Sequence, residues 1–178
     1  MEKANRSRGA GRLILPALVL LLFVGALAAW AEEGEGSGGT KVPASTCVSG
    51  MKWTGGNEGS PEMHPGGNCI SCHARGEGPR FLAAGTVYQK LDEPDDCYGV
   101  KGVVVQLTDA KNKVYKMTSN GSGNFTLRRG GPITYPIRVK LFFNGKESGM
   151  ATPQMTANCA ACHSAAGANG APGRVVAP

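Results

Sequence analysis

Apolar and polar positions divide this chain into regimes. From Leu13 to Ala29 there is no charged residue, and Lys3, Arg6, Arg8 and Arg12 precede the run. An apolar stretch of about 17 residues is at the short limit for crossing a bilayer. Ala29-Trp30-Ala31 then fits a small-x-small cleavage site ahead of Glu32-Glu33. The pattern predicts a secretory signal peptide over 1–31; an uncleaved membrane anchor is the competing reading. Residues 32–46 are glycine-rich and charged, with nothing to bury, which predicts a flexible linker.

Periodicity changes at Ala83. Gly85-Thr86-Val87-Tyr88 is short and β-prone, and Gly102–Asp109 puts Val103, Val105 and Leu107 on one face. Val114–Thr118 follows a hairpin loop at 110–113. Asn120-Gly121 and Gly123-Asn124 mark a turn before Asn124–Arg128, which is expected to bury Phe125 and Leu127. In Tyr135–Phe143 the odd positions are apolar, while Pro136, Arg138 and Lys140 are not. Such alternation means one buried and one wet face, and Asn144-Gly145 ends the run. The fold class predicted is mainly β: a small antiparallel β-sandwich over 83–149, flanked by irregular segments with short helical turns at 47–82 and 150–178.

The flanks carry the candidate chemistry. Cys69-Ile70-Ser71-Cys72-His73 and Cys159-Ala160-Ala161-Cys162-His163 are both C-x-x-C-H runs, the attachment pattern of c-type haem. Two thiols at this spacing match the two vinyl groups of one porphyrin, and the next residue brings an imidazole beneath the iron. A single C-x-x-C reads equally as a redox or zinc motif. Two copies, each followed at once by His in a chain with three histidines, point to two covalently bound haem c groups. His73 and His163 are the expected proximal iron ligands. On the far side of the first iron the candidates are Met63 and His64; for the second they are Met150 and Met155, with Met51 weaker and Met117 read as packing. The alternatives between them stay open, and a second chain is a further source of ligand.

Six cysteines less four leave Cys47 and Cys97. In an oxidising compartment they are expected to pair rather than remain free thiols. Asp95-Asp96, beside Cys97, reads as a solvated turn before it reads as a calcium pair. The formal charge of +6 is partly the signal's. Residues 32–178 carry +3, and four ionised propionates would bring this to about −1. No basic stripe with interleaved aromatics occurs, so nucleic acid is not an expected partner.

The strand and turn pattern from Gly85 to Gly145 resembles the carboxypeptidase regulatory-like domain, a transthyretin-like β-sandwich. That resemblance implies a structural or binding role with no catalytic residues. The export signal and the paired C-x-x-C-H runs resemble exported multihaem c-type cytochromes of bacterial respiratory chains. They imply an electron carrier, periplasmic or at the cell surface, that meets redox partner proteins. No stable membrane anchor is expected once the signal is cleaved, and the resemblance admits a homo-oligomer or larger cytochrome assembly. The alternatives are a small peroxidase-like dihaem enzyme and a haem-bearing binding or assembly module.

Overall fold

A computed structural model describes Cys47 and residues 59–178. The signal, the linker and Met51 lie outside the described residues. In chain order the elements are helix α1 (Cys69–Ala74), β1 (Ala83–Tyr88), β2 (Val104–Thr108), β3 (Val114–Thr118), β4 (Asn124–Leu127), β5 (Arg138–Phe143), β6 (Lys146–Gly149), a 3-10 turn (Cys159–Ala161) and β7 (Val175–Val176). The protein is mainly β, with strands in two sheets ordered β4-β1-β7 and β3-β2-β5-β6.

The alternation read from the sequence sets the register. Val105 lies opposite Met117 on β3 and Leu141 on β5, and Leu107 lies opposite Tyr115 and Val139. These inward positions join Ala83, Val87 and Phe125 of the other sheet in one hydrophobic core. Val103, Val105 and Leu107 are all buried, while Val104, Gln106 and Thr108 are half-buried. Met117 is buried packing, as its strand position suggests.

Asp109 closes the β2–β3 hairpin. Its Oδ1 accepts from the backbone N–H of Lys111 and Lys113, both at 2.9 Å, and its Oδ2 from that of Thr134. This is the local side-chain-to-backbone bonding that suits Asp to turns.

Three differences from the sequence reading have physical causes. The strand expected over 135–143 begins at Arg138. Pro136 has no N–H to give a ladder, and Ile137 bridges Gln154 instead. β6 has a polar sequence, Lys-Glu-Ser-Gly, and forms because Asn144 and Gly145 both take positive φ, at 48° and 73°. A two-residue turn of that hand returns the chain onto β5. The first sheet is not wholly antiparallel. Its third strand, β7, comes from outside 83–149 and pairs parallel with β1, Val87 to Val175 and Tyr88 to Val176.

β1 is buried along its whole length. Such a strand reads as a continuous small or apolar run rather than an alternating one, and Ala-Ala-Gly-Thr-Val-Tyr fits. The disulfide expected from compartment logic is present: Cys47 bonds Cys97 with Cα atoms 5.0 Å apart, and Cys97 is fully buried. Among the described residues no helix is long and apolar enough to cross a membrane.

Candidate functional site

Both C-x-x-C-H runs are built alike. Each follows an asparagine at the N-terminal cap position, Asn68 before α1 and Asn158 before the 3-10 turn. Asn68 caps its helix by accepting from the Ser71 N–H at 3.1 Å, the ordinary use of Asn at this position. In both runs the first cysteine's Sγ faces the carbonyl two residues upstream, Gly67 for Cys69 and Ala157 for Cys159. All four cysteines of the runs are free of disulfides and half-buried.

The two histidines also match. His73 Nδ1 lies 2.9 Å from the Pro79 carbonyl oxygen, and His163 Nδ1 lies 2.9 Å from that of Gly173. A carbonyl only accepts, so each Nδ1 carries the proton and donates. With Nδ1 so engaged, Nε2 is the ring nitrogen that can face a metal. His73 is further held by the Phe81 ring, 4.4 Å between centroids.

The sandwich separates the runs in sequence but not in space. Asn158 Nδ2 donates to Asn68 Oδ1 at 2.9 Å across 90 positions, so the two cap residues join the two runs. Asn158 also bridges Ala84 of β1. At Gly85 a Cβ would stand 2.8 Å from Cys159 Cβ and 2.7 Å from Phe125 Cζ. Glycine there lets the second run seat directly on β1. Gly85→Ala is expected to overpack this contact at about 1–3 kcal/mol, read as a lower denaturation midpoint; an unchanged midpoint would contradict the close approach.

Burial raises the first thiol of each run. Desolvation pushes the Cys159 thiol up to about 12, with the nearby Cys69 sulfur adding to it. Cys69 is raised as well, again first by burial. A redox or zinc C-x-x-C depends on the thiolate, whereas a neutral thioether loses nothing in such surroundings. The residues present therefore fit a covalently attached porphyrin in donor set, tautomer and polarity.

His163 opens onto a cavity of about 430 Å³, within the range of cofactor and ligand sites. Its walls include Val105, Phe125, Val139 and Leu141 of the sheets, Cys162, and Met150. Of the four far-side candidates, Met150 alone shares this cavity with His163; Met155 is exposed and stands apart from it. Met63 and His64 occupy the turn just ahead of Asn68. A polar chain seats that turn on β1 and β4: Gly66 N–H donates to Thr86 Oγ1 at 2.8 Å, Thr86 to Asn124 Oδ1 at 2.7 Å, and Asn124 Nδ2 to the Met63 carbonyl at 2.9 Å.

Asp95 and Asp96 are not a solvated turn. Asp95 is buried and accepts from the Cys97 N–H at 2.8 Å, and Asp96 pairs with Arg174 at 2.7 Å. Cys47, Asp95 and Cys97 crowd together at metal-ligand spacing, but both sulfurs are committed to the disulfide. The sequence reading missed Gly85, Arg174 and the Asn68–Asn158 contact. Only the asparagine repeated before each run was a visible signal. Comparison with protein-family models, curated proteins and solved structures finds no match.

Proposed function

We propose that this chain is an exported dihaem c-type cytochrome that carries electrons in a respiratory or extracellular chain. The observation that carries the reading is the repeated histidine geometry. Two C-x-x-C-H runs each present an imidazole whose Nδ1–H is bonded to a backbone carbonyl and whose Nε2 is left for a metal. Cys69 and Cys72 hold one haem and Cys159 and Cys162 the other, with His73 and His163 as proximal ligands. When bound, each haem supplies a one-electron iron couple whose potential depends on axial ligand and burial.

The protein's own part is placement. The Asn68–Asn158 bond sets the two attachment segments side by side, which suits transfer between two centres. Val105, Phe125, Val139 and Leu141 give the second site an apolar wall. Met150 is the far-side ligand favoured there, because it lines the same cavity as His163. The paired Cys47–Cys97 supports an oxidising, exported setting. The partners are redox proteins.

Spectroelectrochemical titration of the purified mature chain is expected to give two one-electron transitions, with no rapid consumption of added peroxide in stopped flow. Fast peroxide turnover would replace this reading with that of a small dihaem enzyme.

A further inference from the structure

We infer that Arg174 is a positioning residue for His163, gripped by an acidic loop that the Cys47–Cys97 disulfide tethers at Cys97, so that disulfide and second site form one mechanical unit. The inference rests on the haem reading only for what His163 holds.

Arg174 is 4% exposed, and a guanidinium is rarely buried without partners. Its hydrogen-bond and ring partners come from one stretch of chain, Tyr88–Asp96. Nη2 donates to Asp96 Oδ1 at 2.7 Å, Nε donates to the Glu93 carbonyl at 2.7 Å, and the planar group lies over the Tyr88 ring at 4.2 Å. Its backbone N–H donates to the Leu91 carbonyl at 3.1 Å. That stretch is itself braced. Asp95 N–H donates to Glu93 Oε1, Cys97 N–H donates to Asp95 Oδ1, and Cys97 is the buried end of the disulfide.

The residue before Arg174 is Gly173, whose carbonyl accepts the His163 Nδ1–H. Gly173 is pressed against the loop: a Cβ there would stand 2.7 Å from the Leu91 carbonyl oxygen. The acceptor that orients His163 is thus pinned between its own chain and the 91–97 loop. The residues after it, Val175 and Val176, pair with β1 and line the His163 cavity. His73 itself makes no bond in this clamp, although Gly66, in the turn ahead of its run, packs close to Arg174 and Asp96. Its acceptor is Pro79, six residues along its own segment, and its ring rests on Phe81.

The inference therefore predicts a selective effect. In the reduced mature chain, solvent exchange of the two imidazole Nδ1–H protons can be followed separately by NMR. Arg174→Gln is expected to speed exchange at His163 by about tenfold or more, through local opening, and to leave His73 unchanged. One of the two midpoint potentials should move and the other stay. Asp96→Asn cuts the ion pair but keeps the guanidinium, so it decides the matter if Arg174→Gln does not fold. Reduction of the disulfide should act at His163 in the same direction. An equal change at both histidines, or no change at either, overturns the inference. Intact mass keeps the two proposals apart. A chain without covalent haem would sink the reading of function, while the His163 Nδ1–H exchange in that same chain would still decide the clamp.

Discussion

Replacing Cys159 and Cys162 together by serine is expected to remove one of two covalent haems and most of the protein's thermal stability. The argument is volumetric. The cavity beside His163 measures about 430 Å³ and is walled by Val105, Phe125, Val139 and Leu141, residues that otherwise belong to or flank the shared core. In our reading the second haem completes that core. Empty apolar space costs about 24 cal/mol per Å³ when the surroundings do not collapse. At this volume that is a ceiling of about 10 kcal/mol, and the cost lies below it because the cavity is open to solvent on one side and Thr152, Gln154 and Asn169 also line it. Whole domains are stable by only about 5–15 kcal/mol. The double variant should lose one haem's mass and melt far below the parent, or fail to accumulate folded. A variant with one haem fewer and an unchanged melting temperature would show that the cavity does not need filling. One that keeps both haems would show that these sulfurs are not the anchors.

Cys97→Ser is expected to give the second largest loss. The bridge spans 50 positions, for which chain entropy gives about 4 kcal/mol. At about 2–4 °C per kcal/mol for a chain of this size, the melting temperature should fall by roughly 8–16 °C. Cys97 is fully buried, so the serine hydroxyl adds a desolvation cost unless it finds a partner. Calorimetry with and without reductant checks this. The parent in reductant should fall toward the variant, and the variant should ignore the reductant. A variant melting within a degree or two of the parent would remove the disulfide from the account of stability.

What was legible in the sequence was what depends on near neighbours. Val103, Val105 and Leu107 alternate, and all three are buried. Val114–Thr118 forms β3 with the bounds its pattern suggests. A short helical turn within 47–82, which the structure places at Cys69–Ala74, and the pairing of Cys47 with Cys97 were likewise expected, the second from compartment. What escaped depends on partners far along the chain. β7 is two residues in a tail of Gly, Ala and Pro, and it exists because β1 accepts it and Arg174 locks it to residues about 80 positions away. Asp95 and Asp96 looked like a wet turn for the same reason: the cation that meets Asp96 is Arg174. In sequence the two C-x-x-C-H runs stand on either side of strands β1–β6. The Asn68–Asn158 bond brings them together instead, a contact that no pattern within either run specifies. Of Met63, His64, Met150 and Met155, only the placement of Met150 by the strand-following segment ties a far-side candidate to a described cavity.

The most direct test of the central claim is the intact mass of the mature protein, purified from a host that attaches c-type haem, after denaturation and acidic organic extraction. Thioether attachment through Cys69, Cys72, Cys159 and Cys162 predicts the mass of the polypeptide plus two haems, retained on the chain. A mass equal to the polypeptide alone, with four alkylatable thiols in the two runs, would contradict it.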